Sequence, residues 1–422
     1  MCSGSDNYRI TSNWICGNFS SGDGGGIGHI GLSMRGIISK NSILFNESYN
    51  QTGLQHGGGL AIEGEQAAGT VLSLGTGDVT VDSNLIQGNF ARAGNGGGIR
   101  LQNVNGADAR DERWRVRLTN NMIVNNLAGM AGGGISMADT LFSVLINNTV
   151  AANDSTGIVG SLFNTQVGAA NTGATTGVPS PAGISSELTS PLLLAFLPAN
   201  QQTANRISNP VLRNNIIWQN RSFFFDASSG TTQLLPSNQW SDAVAAAKPQ
   251  PLVAQTATGQ CVNGAAYWDL GVVGDQSPVT PAANPHLRPT YSVLTGLVAG
   301  YNNATNTAGN PNLVSQYCNG SSVIPGVQFE PGTPFLPAFQ LQPAATADES
   351  GNFVDLHFGP LSITDPGNPV KVNGDYHIQN QPANSSAYNT GTDEGAPNHD
   401  FDAQPRPQAG LYDIGADELL LP

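Results

Sequence analysis

Residues 121–126 read NMIVNN, and residues 130–139, shortly after, read MAGGGISMAD. The first stretch sets two asparagines five apart around a β-branched residue. The second sets three glycines before an isoleucine. Both recur. The asparagine unit also appears as NWICGN (13–18), NSILFN (41–46), NLIQGN (84–89), NTVAAN (148–153) and NIIWQN (215–220). The glycine unit appears as GDGGGIGHIG (22–31), QHGGGLAIEG (55–64) and GNGGGIRLQN (94–103), with a degenerate copy, PAGISSE, at 181–187. Recurrence of this kind marks a repeat architecture, in which no unit buries its apolar face alone and each must stack on the next.

Aligned on the first asparagine, the position two later holds Ile15, Ile43, Ile86, Ile123, Val150 and Ile217. Three residues before it stand Ile10, Ile38, Val81, Leu118, Leu145 and Leu212. Both columns are expected to point inward. The residue just before the asparagine is polar (Ser12, Lys40, Ser83, Asn120, Asn147, Asn214), as on the outward side of an alternating strand. Each unit therefore reads as a short strand, an asparagine turn, a strand, a glycine turn and a third strand. Stacked in parallel, such units place like residues over like at about 4.8 Å. Asparagine tolerates left-handed backbone angles, and its amide bonds to the asparagines above and below, which accounts for 42 asparagines in the chain.

Gly26, Gly28 and Gly31 match G-x-G-x-x-G. A dinucleotide loop needs a strand before it, a helix after it and an acidic residue further on. Residues 30–40 instead read IGLSMRGIISK, with no apolar stripe at helical spacing, so the glycines are read as turn punctuation.

The N-x4-N and GGG-I repeats resemble those of right-handed parallel β-helix proteins of the pectate-lyase-like superfamily. The later stretches NTAGNPNLVSQYCNG (306–320), DYHIQNQPANSSAYNTG (375–391) and HDFDAQPRPQAGLYDIGADE (399–418) resemble the closing coils of secreted bacterial proteins of that type. The resemblance implies an all-β, right-handed parallel β-helix with long loop insertions, and says little about chemistry, since one fold hosts many functions. Three regions are expected: coils over 1–235, Pro/Ala-rich insertion loops and irregular coils over 236–345, and closing coils of the same helix over 346–422.

Composition agrees. Gly is frequent at 52 of 422 residues and charged residues make up 11%, well under the usual quarter. The net charge of −14 argues against nucleic acid as a partner. No apolar run is long enough to span a bilayer. Cys2, Cys16, Cys261 and Cys318 lack C-x-x-C spacing, so two disulfides, Cys2 with Cys16 and Cys261 with Cys318, are expected in an extracellular protein. Cys2 followed by Ser and Gly also resembles the start of a mature lipoprotein.

Chemistry is sought around the glycine turns. The column just before them holds Asp23, His56, Asn95 and Ala131. Outward columns after them read Gly28, Ala61, Arg100, Ser136, Ser185 and, two further on, Ile30, Glu63, Gln102, Ala138, Glu187. A histidine base (His56) held by a carboxylate (Asp23), with Arg100 to neutralise a uronate, is what proton abstraction beside a carbonyl requires. Arg100, Glu63 and Gln102 form the candidate carbohydrate-binding set. The plainer alternative makes Asp23, His56 and Asn95 turn-amide acceptors and Arg100 one half of a surface pair with Glu63. His29 falls in an inward column. Asp400, Asp402, Asp413, Asp417 and Glu418 are carboxylates that calcium could use, or partners of turn amides and Arg406. No other cofactor is expected.

The expectation is a non-catalytic, secreted or cell-surface scaffold or adhesive module whose partners are polysaccharide, other surface proteins or its own copies. The alternative is a polysaccharide lyase or glycoside hydrolase acting in a surface groove.

Overall fold

The computed structural model describes residues 2–49, 54–66, 68–92, 94–157, 177–226, 233–240, 265–275, 277–279, 284–318, 364–365, 368–372, 374–408 and 410–420. Cys261, His357 and most of the Gly/Thr/Ala-rich stretch between 157 and 181 lie outside them.

The chain is a parallel β-helix. Each complete rung contributes four strands, one to each of four long sheets. In the rung that contains NMIVNN these are Val116–Thr119, Met122–Val124, Leu127–Ala128 and Ile135–Ala138, forming sheets one to four in that order. The expected unit had three strands. The fourth was hidden because strands of two residues, such as Leu127–Ala128, are too short to show an alternation.

The inward columns are as read. Ile43, Ile86, Ile123, Val150 and Ile217 are in register along the second sheet and fully buried, as are Ile38, Val81 and Leu118 along the first. With Leu60, Ile62, Ile99, Leu101, Ile135 and Met137 of the fourth sheet they form one continuous core.

Both asparagines of each unit build ladders. Asn121 Nδ2 donates to Asn148 Oδ1 at 3.0 Å and to Val81 O and Thr119 O at 2.9 Å. Its Oδ1 accepts from the N–H and the amide of Asn84 at 3.0 and 2.9 Å. The pattern runs from Asn13 through Asn215 in one ladder and from Asn18 to Asn220 in the other, where Asp269 takes the last place as acceptor.

Two expectations about these turns are corrected. The left-handed residue is the one before each ladder asparagine: Ser12, Lys40, Ser83, Asn120, Asn147 and Asn214 all have φ between 52° and 57°. That column is therefore not the outward side of a strand but the corner itself. Turning the corner one residue early leaves the asparagine side chain aimed into the stack, where its amide finds partners on both sides. The glycine turns behave as read. Gly96 takes φ +74°, and a Cβ on Gly97 would collide with the carbonyl of Leu127 on the neighbouring third-sheet strand.

Beyond residue 236 the sheets continue. Leu270–Val272 extends the fourth sheet, Pro289–Thr290 the first and Val293–Leu294 the second. Among the described residues after 346, none joins these four sheets. The sequence placed this segment at an end of the coil, whereas it lies along the flank, over the outer face of the second sheet. There Met122, Val124, Ile216 and Trp218 pack against Tyr376, Ile378, Ala387, Ile414 and Ala416. The contact is also hydrogen-bonded: Asn147 donates to Asp413 O at 3.0 Å, Asn214 to Thr392 O at 2.7 Å, and Asn125 accepts from the Tyr376 hydroxyl at 2.8 Å. This explains why the corner asparagines 147 and 214 are buried.

Cys2 and Cys16 are free thiols, which corrects the expected pairing between them. Cys2 instead joins the backbone of the first glycine rung, bridging to His29. Cys318 is buried and disulfide-bonded.

Candidate functional site

The five candidate residues, Asp23, His56, Glu63, Arg100 and Gln102, gather on the outer face of the fourth sheet and the glycine turns leading into it. Register produces this. Gly28, Ala61, Arg100, Ser136 and Ser185 are aligned across the strands, as are Ile30, Glu63, Gln102 and Ala138. Arg100 is the one long side chain in a column of small ones, so it can lie across the sheet.

It does so in the direction opposite to the one expected. Arg100 Nη1 meets Glu187 Oε1 at 2.5 Å and Ser136 Oγ at 2.8 Å, while Nε and Nη2 donate to Gln102 Oε1 at 2.9 and 2.6 Å. The surface pair with Glu63 is thus corrected to a pair with Glu187, two rungs away from Arg100. The serine at 136 lets the guanidinium pass over the intervening strand. Arg100 is 3% exposed, so the guanidinium is packed inside the structure.

The turn column forms its own chain of bonds. Asp23 Oδ1 accepts from the backbone N–H of His56 at 2.5 Å, His56 Nδ1 from that of Asn95 at 3.0 Å, and Asn95 Oδ1 from that of Ala131 at 3.0 Å. Asp23 therefore binds the His56 main chain, which corrects the expectation that it orients the imidazole. Since Nδ1 is an acceptor, the ring is neutral with its proton on Nε2. Burial, reinforced by the Arg100 charge, pushes the His56 pKa down to about 3.

Glu63 behaves in the opposite sense. Burial, then the charge of Asp23, lifts its pKa to about 8, outweighing the nearby Arg100. Burial also raises Asp23, whose charge is the second cause of the shift on Glu63. Glu63 is 6% exposed and its Oε1 has no partner. At neutral pH the face thus holds a protonated carboxyl, a neutral imidazole and a tied guanidinium.

Sequence reading placed Glu187 in the correct column but gave it no partner. The signal was the pair of small residues, Ser136 and Ser185, which opens the path to Arg100. Asn95 adds a bond to Glu187 at 3.2 Å. His29 is fully buried as expected, held between the Tyr8 hydroxyl and the carbonyls of Gly31 and Thr76.

The carboxylates near the end of the chain mostly serve the fold. Arg406 donates to Glu418 Oε2 and to the carbonyls of Asp413 and Gly415. Asp413 and Asp400 accept from the backbone N–H groups of Asn389, Leu419, Gln404 and Glu418. Hard-oxygen ligands for calcium are thereby engaged at these two residues.

No protein-family model, curated protein or solved structure matches the chain. Among the described residues no helix is long and apolar enough to cross a membrane.

Proposed function

We propose that this chain is a non-catalytic scaffold of the cell surface or extracellular space, a right-handed β-helix of the pectate-lyase-like kind that presents its long faces to polysaccharide, to other surface proteins or to copies of itself. Right-handedness follows the general rule for parallel crossovers. The observation that carries the reading is the occupation of its most reactive side chains. The acceptor nitrogen of His56 is taken by the Asn95 amide, and Arg100 is held by Glu187, Gln102 and Ser136. A base with no free lone pair and a cation with no free fork can build a coil but cannot turn over a uronate.

One observation favours the enzymatic alternative. Asp23 and Glu63 form a buried carboxyl dyad in which burial and then the Asp23 charge lift the Glu63 pKa to about 8, the direction a general acid requires. The test is incubation of the protein with uronate, neutral and sulfated polysaccharides, read by the ultraviolet absorbance of unsaturated uronates and by reducing ends. No cleavage by the parent supports the scaffold. Cleavage that Glu63→Gln abolishes would replace it with a hydrolase.

A further inference from the structure

The flank segment brings His377, Asp402 and Asp417 together, although they stand 25 and 40 residues apart in the chain. One ligand atom from each lies within 4.8 Å of the others. His377 is on the strand Asp375–Ile378, while Asp402 follows the Phe401 ring that stacks edge-on against the imidazole at 5.6 Å. Asp417 is buried, and one of its oxygens is fixed by the N–H of Ile378 at 2.7 Å.

The imidazole is arranged as a metal-ligating histidine is. Its Nδ1 bonds to Asp375 Oδ1 at 2.6 Å, and Asp375 also accepts the His377 backbone N–H at 3.1 Å. A carboxylate on one ring nitrogen fixes the tautomer and turns the other toward the metal. That other nitrogen, Nε2, is buried and has no hydrogen-bond partner. It stands 3.2 Å from Asp402 Oδ2 without the alignment of a hydrogen bond. Two ligands of a tetrahedral zinc ion, each about 2.0–2.2 Å from it, are separated by about 3.4 Å.

We propose that His377, Asp402 and Asp417 bind a divalent first-row transition ion, with zinc the best fit, and that Asp375 is the positioning residue for His377. The imidazole nitrogen selects against calcium and magnesium, which prefer oxygen alone. Asp402 is exposed at 44% of its side chain, so the ion keeps a coordination position open to water. Because the three ligands come from separate parts of the flank segment, the ion would also clamp that segment together.

The test uses the full chain without a histidine tag, dialysed against EDTA and titrated calorimetrically with zinc chloride at pH 7.5. One equivalent should bind, and the melting temperature should rise with it. Asp402→Asn, at an exposed position, should keep the metal-free melting temperature and bind zinc about tenfold more weakly or worse, and Asp375→Asn should weaken it too. A large excess of calcium or magnesium should not displace the zinc. Absence of saturable binding by the parent, equal binding by Asp402→Asn, or displacement by calcium would each overturn the site.

Discussion

His56 Nδ1 accepts a hydrogen bond at 3.0 Å from the backbone N–H of Asn95, one rung further along the coil. The same place on the preceding rung is filled by Asp23, whose carboxylate takes the His56 N–H, and on the following one by Asn95, whose amide oxygen takes that of Ala131. Three chemically different side chains thus do one structural task. The basicity of His56 is suppressed by burial and then by the Arg100 charge, and its acceptor nitrogen is taken by the next turn.

The asparagine ladder should be sensitive in its middle. Asn121→Ala removes the acceptor for two Asn84 donors and leaves the Val81 carbonyl without that amide, in a site with no exposure. Stability should fall by about 1–3 kcal/mol by chemical denaturation. Asn121→Asp should be at least as harmful, because it also sets a charge against Asn148 Oδ1; a parental midpoint for both would contradict the ladder.

Glu63 should leave a signature in the pH dependence of stability. Its pKa in the fold is raised to about 8 from an ordinary 4.5, so the contribution is complete below pH 4.5 and is lost as pH rises through 8. Burial raises Asp413 to about 7 and Asp417 to about 6, with the same sign. The parent should therefore lose stability between pH 4.5 and 8, and Glu63→Gln should lose less over that window. One proton corresponds to a slope of about 1.4 kcal/mol per pH unit at most. Superimposable profiles would remove the dyad.

Two thiols should titrate in the native protein with a disulfide-exchange reagent, the exposed Cys16 before the half-buried Cys2. Finding neither reactive would restore the pairing expected from sequence.

Arg406 ties the flank segment to itself, being 0% exposed against Glu418 at 1%. Replacing it with Met should strand the Glu418 carboxylate and loosen the segment from the second sheet, baring the apolar patch around Met122 and Ile216. Increased binding of a hydrophobic dye, with strand content preserved in circular dichroism, is the expected result. Parental dye binding would mean that other contacts hold the segment.

Much of this fold was legible because stacking imposes a column on the sequence. Ile43, Ile86 and Ile123 repeat because the core demands it, and Asn84, Asn121 and Asn148 because each satisfies the next. What could not be read was anything lateral. The flank segment meets Asn125 and Asn147 from 251 and 266 residues away, with no periodicity to announce it. Arg100 chose Glu187 over Glu63 because of side-chain direction across the sheet, and a column fixes only which residues are level. The His377 cluster was invisible for the same reason, since its members come from three separate stretches of the flank segment, one of them the strand Asp375–Ile378.

In the proposed scaffold the polar face of the fourth sheet serves the coil itself, and the stability of Arg100→Met, measured by denaturant unfolding beside the parent, tests this most directly. Loss of the charged hydrogen bonds to Glu187, Gln102 and Ser136 should lower stability by about 2 kcal/mol. Stability equal to or above that of the parent would contradict the account, because it is residues reserved for a substrate whose removal leaves a fold unharmed or improved.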